Sequence, residues 1–185
     1  MKKTIHRGVT KAQWLEAGLK ALSEGGAGAL KIERLARSLG IAKAGFYWHF
    51  KNRDDMMQQL LDYWTHELTE VISKNPEISS LGPKDRLKRI AEMIIDYDLA
   101  RYEIAIHQWA LQDATAAKAL KKVKNNRLDF IRDAFSELGF RDDELMMRTM
   151  LFACYHTWES ITFKEISRKR RRELISKRIE LLTTK

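Results

Sequence analysis

The sequence predicts an all-α fold: an N-terminal three-helix unit followed by a larger helical bundle, about nine helices in total. Three observations lead there. Apolar residues recur at helical intervals nearly from end to end, and no stretch alternates in the manner of a strand. With 2 prolines and 9 glycines in 185 residues, the composition also leans helical.

Thr10 and Gln13 have the spacing of a capping box, and Trp14, Leu15, Leu19, Ala21 and Leu22 follow with helical periodicity, which predicts a first helix over 11–23. The glycines at 25, 26 and 28 interrupt it. Ile32, Leu35, Ala36 and Leu39 then carry a short helix over 31–38, ended by Gly40. A third short helix follows, with Phe46 and Phe50 on one face, so two short helices meet at a glycine-containing turn, as in a helix-turn-helix. Asn52 and Asp55 open a long helix over about 53–74 that includes Met56, Leu60, Leu61, Trp64, Leu68, Val71 and Ile72.

Asn75-Pro76 through Gly82-Pro83 reads as a linker, with Pro83 at a helix start. Helices are expected over 84–100, within 102–112 and over 115–138, the last closed by Gly139. From 143 to 165 apolar residues surround the helix axis, and a second apolar face predicts a partner subunit. A last helix near 170–182 carries Leu174, Ile175, Ile179 and Leu182. The expected subunit contacts are Met146, Met150, Cys154, Trp158, Ile175 and Ile179.

Charge is distributed unevenly. Residues 1–55 hold 11 Lys and Arg against 5 Asp and Glu, a net +6 out of a total of +9. A basic field concentrated in one small unit is the footprint of a polyanion binder, because neutralised phosphates release condensed counterions. A membrane surface is the rival partner, but it requires a free apolar helix face, and the faces here are needed for a core. No apolar run is long enough to span a bilayer, and the first residues lack the apolar core of a secretion signal, so a cytoplasmic location is expected. One cysteine, Cys154, permits no internal disulfide and is expected to be packing material.

The segment GIAKAGFYWHFKNRDDMM, residues 40–57, resembles the recognition helix and following turn of the tetracycline-repressor (TetR) family. The resemblance extends over 10–64 and rests on Leu35-Ala36, Gly40, the Tyr47-Trp48-His49-Phe50 run and Lys51-Asn52. It implies a homodimeric, ligand-responsive DNA-binding regulator, most often a repressor, on a pseudo-palindromic site, with residues 1–55 binding DNA and 56–185 binding ligand and dimerising. It implies that Tyr47, His49 and Lys51 clamp phosphates, with Trp48 beside them. Residue chemistry adds Lys43 as donor to guanine or phosphate and Ala44 as a contact to a thymine methyl. Arg53 adds charge at a helix start, and Lys31 stands where a capping hydroxyl is frequent and offers a phosphate contact. Glu33 is out of place on such a surface unless it accepts from cytosine or pairs with Arg37. The arm residues Lys2, Lys3 and Arg7 could reach a minor groove. Ala42, Ala44 and Gly45 replace hydroxyl-bearing or smaller residues frequent in the family, which thins direct base reading.

Neither an HExxH motif, a nucleophile elbow, a Walker loop nor GxGxxG occurs, so the chain is not read as an enzyme, and no cofactor or metal is expected. Glu103 and His107 share a helix face, and His156 could approach them; core histidines are the plainer reading. The family resemblance adds a small-molecule effector with an apolar part, for which Met93, Tyr97, His107, Trp109, Phe130, Tyr155 and Trp158 are the candidate lining. The basic run 168–172 reads as solvated surface. An enzyme or carrier using the bundle cavity, and an activator of the same fold, are the alternatives.

Overall fold

The computed structural model describes residues 8–66, 70 and 75–185, and among them ten α-helices and two short 3-10 helices occur with no strand. The first helix, α1, spans Lys11–Gly25 and opens on a complete capping box. Gln13 N–H donates to the Thr10 hydroxyl and Thr10 N–H to the Gln13 side chain, at 3.3 and 2.8 Å. Two of the helix's orphan donors are thereby satisfied. A 3-10 turn at Ala27–Ala29 leads to α2, Ile32–Ser38, whose N-cap Lys31 supplies no side-chain bond. Gly40 then reverses the chain at φ 68°, a conformation that a side chain disfavours.

The third element, expected as a short α-helix, is a 3-10 helix over Lys43–Trp48. Gly45 and three successive aromatic residues are poor α-formers, and the tighter winding still buries Phe46. Phe46 and Phe50 meet Trp14 edge-on, with ring centroids 5.4 and 6.5 Å apart, so α1 and the recognition segment share one aromatic core. Helix α3, Arg53–Thr65, starts at Asn52, whose side chain accepts from Asp55 N–H at 2.8 Å. It packs closely on α1. A Cβ placed on Gly18 would stand 2.5 Å from Leu60 Cδ1, so a larger residue there would have to push the Leu60 side chain aside. Most of the predicted continuation to residue 74, including Leu68, Val71 and Ile72, lies outside the described residues, as do Lys2, Lys3 and Arg7.

The linker contains a one-turn helix, α4 (Pro76–Ser79), which buries Ile78. Helix α5 spans Pro83–Asp96 and ends earlier than expected, because Asp98 takes a left-handed conformation at φ 51° and α6 (Leu99–Ala110) starts afresh. Helix α7 spans Ala114–Glu137 and α8 spans Asp142–Thr162. The terminal helix is divided at Leu174 into α9 (Arg168–Glu173) and α10 (Ile175–Thr183).

Two clusters form the interior. The first joins Trp14, Leu19, Phe46, Phe50 and Trp64 to Ala105, Ile106, Trp109, Ala116 and Val123, so the core of the N-terminal unit continues into α6 and α7. Trp109 is therefore a core residue. The second gathers α5, α7, α8 and α10 around Leu87, Phe135, Phe140, Phe152, Ile175 and Ile179. Ile175 and Ile179 are each 1% exposed, which takes them out of any subunit contact. Their apolar stripe faces α5 of the same chain rather than a partner.

Candidate DNA-binding surface and ligand cavity

The recognition segment turns Phe46 inward and its other aromatic residues out. Trp48 is 87% exposed and Tyr47 55%, a position for two large rings that folding alone does not explain. Lys43, Ala44 and Lys51 are exposed around them, as is Lys31 at the start of α2. Lys43 Nζ donates to Glu33 Oε1 at 2.5 Å, so Glu33 pairs across the turn rather than with Arg37. The Lys43 ammonium holds the Glu33 carboxyl below its ordinary range, and the carboxylate in turn raises Lys43. Arg34 and Arg37 are exposed on α2 as well; Arg34 was missed in the sequence, although its i+3 spacing from Lys31 was available.

Two of the expected phosphate contacts point elsewhere. His49 Nε2 lies 2.9 Å from the Val9 carbonyl, which ties the recognition segment to the residue before α1. Arg53 donates from Nε to Leu30 O and from Nη2 to Ala27 O, both at 2.9 Å. Its guanidinium fastens the start of α3 to the loop between α1 and α2.

A cavity of about 320 Å³ lies within the bundle, at the small end of ligand pockets. Its apolar wall comes from Ile90 and Ile94 on α5, Leu99 and Ala100 on α6, Leu128, Phe130 and Ile131 on α7, and Phe152 on α8. Of the predicted lining, His107, Phe130 and Trp158 are present. Met93, Tyr97, Trp109 and Tyr155 are not among the lining residues; Tyr97 is exposed to solvent and Trp109 sits in the first core. Met150, Cys154 and Trp158, expected at a subunit contact, line the cavity, so one stretch of α8 serves as cavity wall and outer face. Cys154 is exposed rather than packed away.

Charged groups of the wall form one cluster. Arg127 donates to Glu103, His107 Nε2 stands 3.9 Å from the same carboxylate, and Lys124 is exposed nearby. The Arg127 guanidinium lies 5.6 Å from the Trp64 ring of α3, which connects the cavity wall to the helix that leaves the N-terminal unit. Burial pulls Arg127 down to about 10, still fully charged at neutral pH, and lowers His107, with Lys124 adding to the effect.

A second polar group joins α8 to α10. His156 Nδ1 lies 2.7 Å from Phe152 O and its Nε2 3.1 Å from Arg178 Nη2. An arginine can only donate, so Nε2 accepts and the proton sits on Nδ1. Burial and then Arg178 drive His156 down to about 3. Tyr155 belongs here: its hydroxyl donates to Glu159 at 3.0 Å, and Arg178 lies 4.2 Å over its ring. No group of three or more His, Cys, Asp or Glu suited to a metal occurs among the described residues, and none of their helices is long and apolar enough to cross a membrane. The basic run of α9 is partly paired, Arg172 with Asp96 and Arg170 with Glu173.

Residues 15–60 match the model of the TetR N-terminal family, bacterial regulatory proteins of the tetR family. The regulator TtgR of Pseudomonas putida is 29% identical over 103 residues, covering 53% of this chain and 49% of that one. The chain spans about half the length of the relatives it matches in this way. AibR, solved in complex with isovaleryl coenzyme A and operator DNA, superposes with a TM-score of 0.71 at 18% identity, over 94% of this chain and 97% of the other. FadR of Bacillus subtilis, solved with stearoyl-CoA, gives 0.69 at 16% identity over 95% and 98%. These two share the fold, and the relatives matched by sequence are transcriptional regulators rather than enzymes. The segment that carries the exposed aromatic and basic residues thus matches the TetR N-terminal family, and the chain shares one helical fold with AibR over nearly its whole length.

Proposed function

We propose that the chain is a ligand-responsive transcriptional repressor acting as a cytoplasmic homodimer on a two-fold symmetric DNA site. Residues 1–55 form the DNA-binding unit, 56–185 bind ligand and dimerise, and α3 joins the two. The observation that carries the reading is the outward Tyr47-Trp48 pair flanked by Lys43 and Lys51, within the segment matched by the regulator family. Lys31, Tyr47, Trp48 and Lys51 serve as backbone contacts that set register, while Lys43 and Ala44 meet base edges. His49 and Arg53 brace the unit from inside.

Dimerisation is supported by the outer face of α8, where Met146, Met147, Met150, Leu151 and Trp158 are exposed together. An apolar patch of this kind is rarely left to water. Two recognition segments in successive major grooves must stand about 34–36 Å apart. A ligand that favours one arrangement of the bundle shifts that separation only through its differential affinity for the two states.

Selection from random duplexes with the full chain, followed by a salt series on the winning sequence, tests the reading. Enrichment of a two-fold symmetric site with a steep salt dependence is expected. Enrichment of no symmetric site overturns it.

A further inference from the structure

The charges on the cavity wall do not cancel. Among the described residues that line it, Lys124 and Arg127 face one carboxylate, Glu103, because His107 and His156 are neutral. Arg127 and Glu103 satisfy each other, and Lys124 makes no ion pair with any described residue. The exposed Lys124 ammonium, without an ion pair among the described residues, thus sits at the edge of an apolar chamber. A neutral apolar guest would gain nothing from that exposed ammonium, and a cation would be repelled. A dianion would place its second charge against Glu103.

We propose that the cavity takes an amphipathic monoanion, a single carboxylate on a compact apolar body. The head group sits at Lys124 beside Arg127, and the body lies against Ile94, Phe130, Ile131 and Phe152. This rests on the ligand-responsive reading above and gives that ligand its chemical class. The charged end is also where Arg127 meets Trp64, so the head group binds next to the contact between the bundle and α3.

Calorimetric titration of the full chain, without DNA, with compounds of one chain length tests the assignment: octanoate, octan-1-ol, octylammonium and octanedioate, with 4-butylbenzoate as the aromatic carboxylate. At least one of octanoate and 4-butylbenzoate is expected to bind, and whichever does distinguishes an aliphatic from an aromatic body. The binding carboxylate should exceed octanol by about tenfold, with octylammonium and octanedioate weaker still. Lys124→Met should remove that advantage and leave octanol binding unchanged. Lys124 is exposed, so the variant should melt with the wild type, which matters because substitutions of Arg127 risk the packing around Trp64. Octanol or octylammonium binding as well as the carboxylates overturns the proposal, as does failure of both carboxylates to bind at millimolar concentration. A carboxylate advantage that survives Lys124→Met overturns it too. DNA selection is scored separately, so a protein that selects a symmetric site but ignores carboxylates loses only the ligand class. One that binds carboxylates but selects no site loses only the regulator reading.

Discussion

Lys43 Nζ and Glu33 Oε1 stand 2.5 Å apart across the turn between α2 and the recognition segment. The pair fixes the direction of a flexible ammonium on the proposed DNA-binding surface, and it sets a carboxylate among cations. A carboxylate there weakens attraction to every phosphate, yet holding Lys43 in one place sharpens which base it can reach. Glu33→Gln is therefore expected to bind random duplexes several-fold more tightly and to relax preference at one base pair per half-site. Lys43→Ala should lose the same preference without the gain. Binding measured by fluorescence anisotropy on selected and random duplexes checks this; unchanged affinity and unchanged sequence choice in Glu33→Gln would place the pair off the interface.

Backbone contacts leave a different signature. Lys51→Ala should weaken binding to specific and random duplexes alike and reduce the slope of log K against log salt by about 0.9, the contribution of one phosphate. Trp48→Ala should weaken both without lowering the melting temperature, since an 87% exposed ring contributes little to the folded state. A large fall in melting temperature for Trp48→Ala would mean that the ring packs rather than binds.

Arg53 behaves as an internal tie. Arg53→Met removes two bonds from a charged donor and strands the Leu30 carbonyl, while that of Ala27 keeps the Leu30 N–H, at a cost of about 1–3 kcal/mol. Differential scanning calorimetry should show the lower melting temperature. Reduced DNA binding at an unchanged melting temperature would instead make Arg53 a phosphate ligand.

These residues mark how far the sequence could be read. Local signals were legible: the Thr10–Gln13 box, the Asn52 cap, Pro83 and Gly139 bound helices near where they were expected. The break at Asp98 was not, because an aspartate in the left-handed region leaves no proline or glycine behind. Periodicity shows that a helix face is buried but not what buries it, so Ile179 and Trp109 were assigned to the wrong neighbours. Of the candidate site, the exposed Tyr47, Trp48 and Lys43 were readable from the motif. The partners of Arg53 and His49 lie tens of residues away in sequence and become visible only in three dimensions.

The outer face of α8 yields a prediction about assembly. Met147 and Leu151 are one turn apart and exposed, so replacing both by glutamate leaves either core intact while charging the proposed contact. Sedimentation velocity should show the 21.6 kDa monomer for the double variant and twice that mass for the wild type. A double variant that remains dimeric would move the contact to another surface.

Acid sensitivity follows from His156. In the folded chain its pKa is about 3, against 6.5 for a free imidazole, because burial and Arg178 disfavour a second proton. Above about pH 6.5 both folded and unfolded histidines are neutral, and the full stability is present. Below that the unfolded chain takes up a proton that the folded chain refuses, so stability falls as pH drops toward 3, by at most about 1.4 kcal/mol per pH unit. Carboxylates of ordinary pKa begin to titrate lower, which leaves roughly pH 6.5 to 5 as the window where histidine dominates. The informative quantity is the difference between wild type and His156→Gln, a side chain that stays neutral throughout. Urea unfolding across this window should show the wild-type midpoint declining more steeply than that of the variant. Parallel declines would mean that His156 binds its proton in the folded state, and that Arg178 then faces a charged rather than a neutral ring.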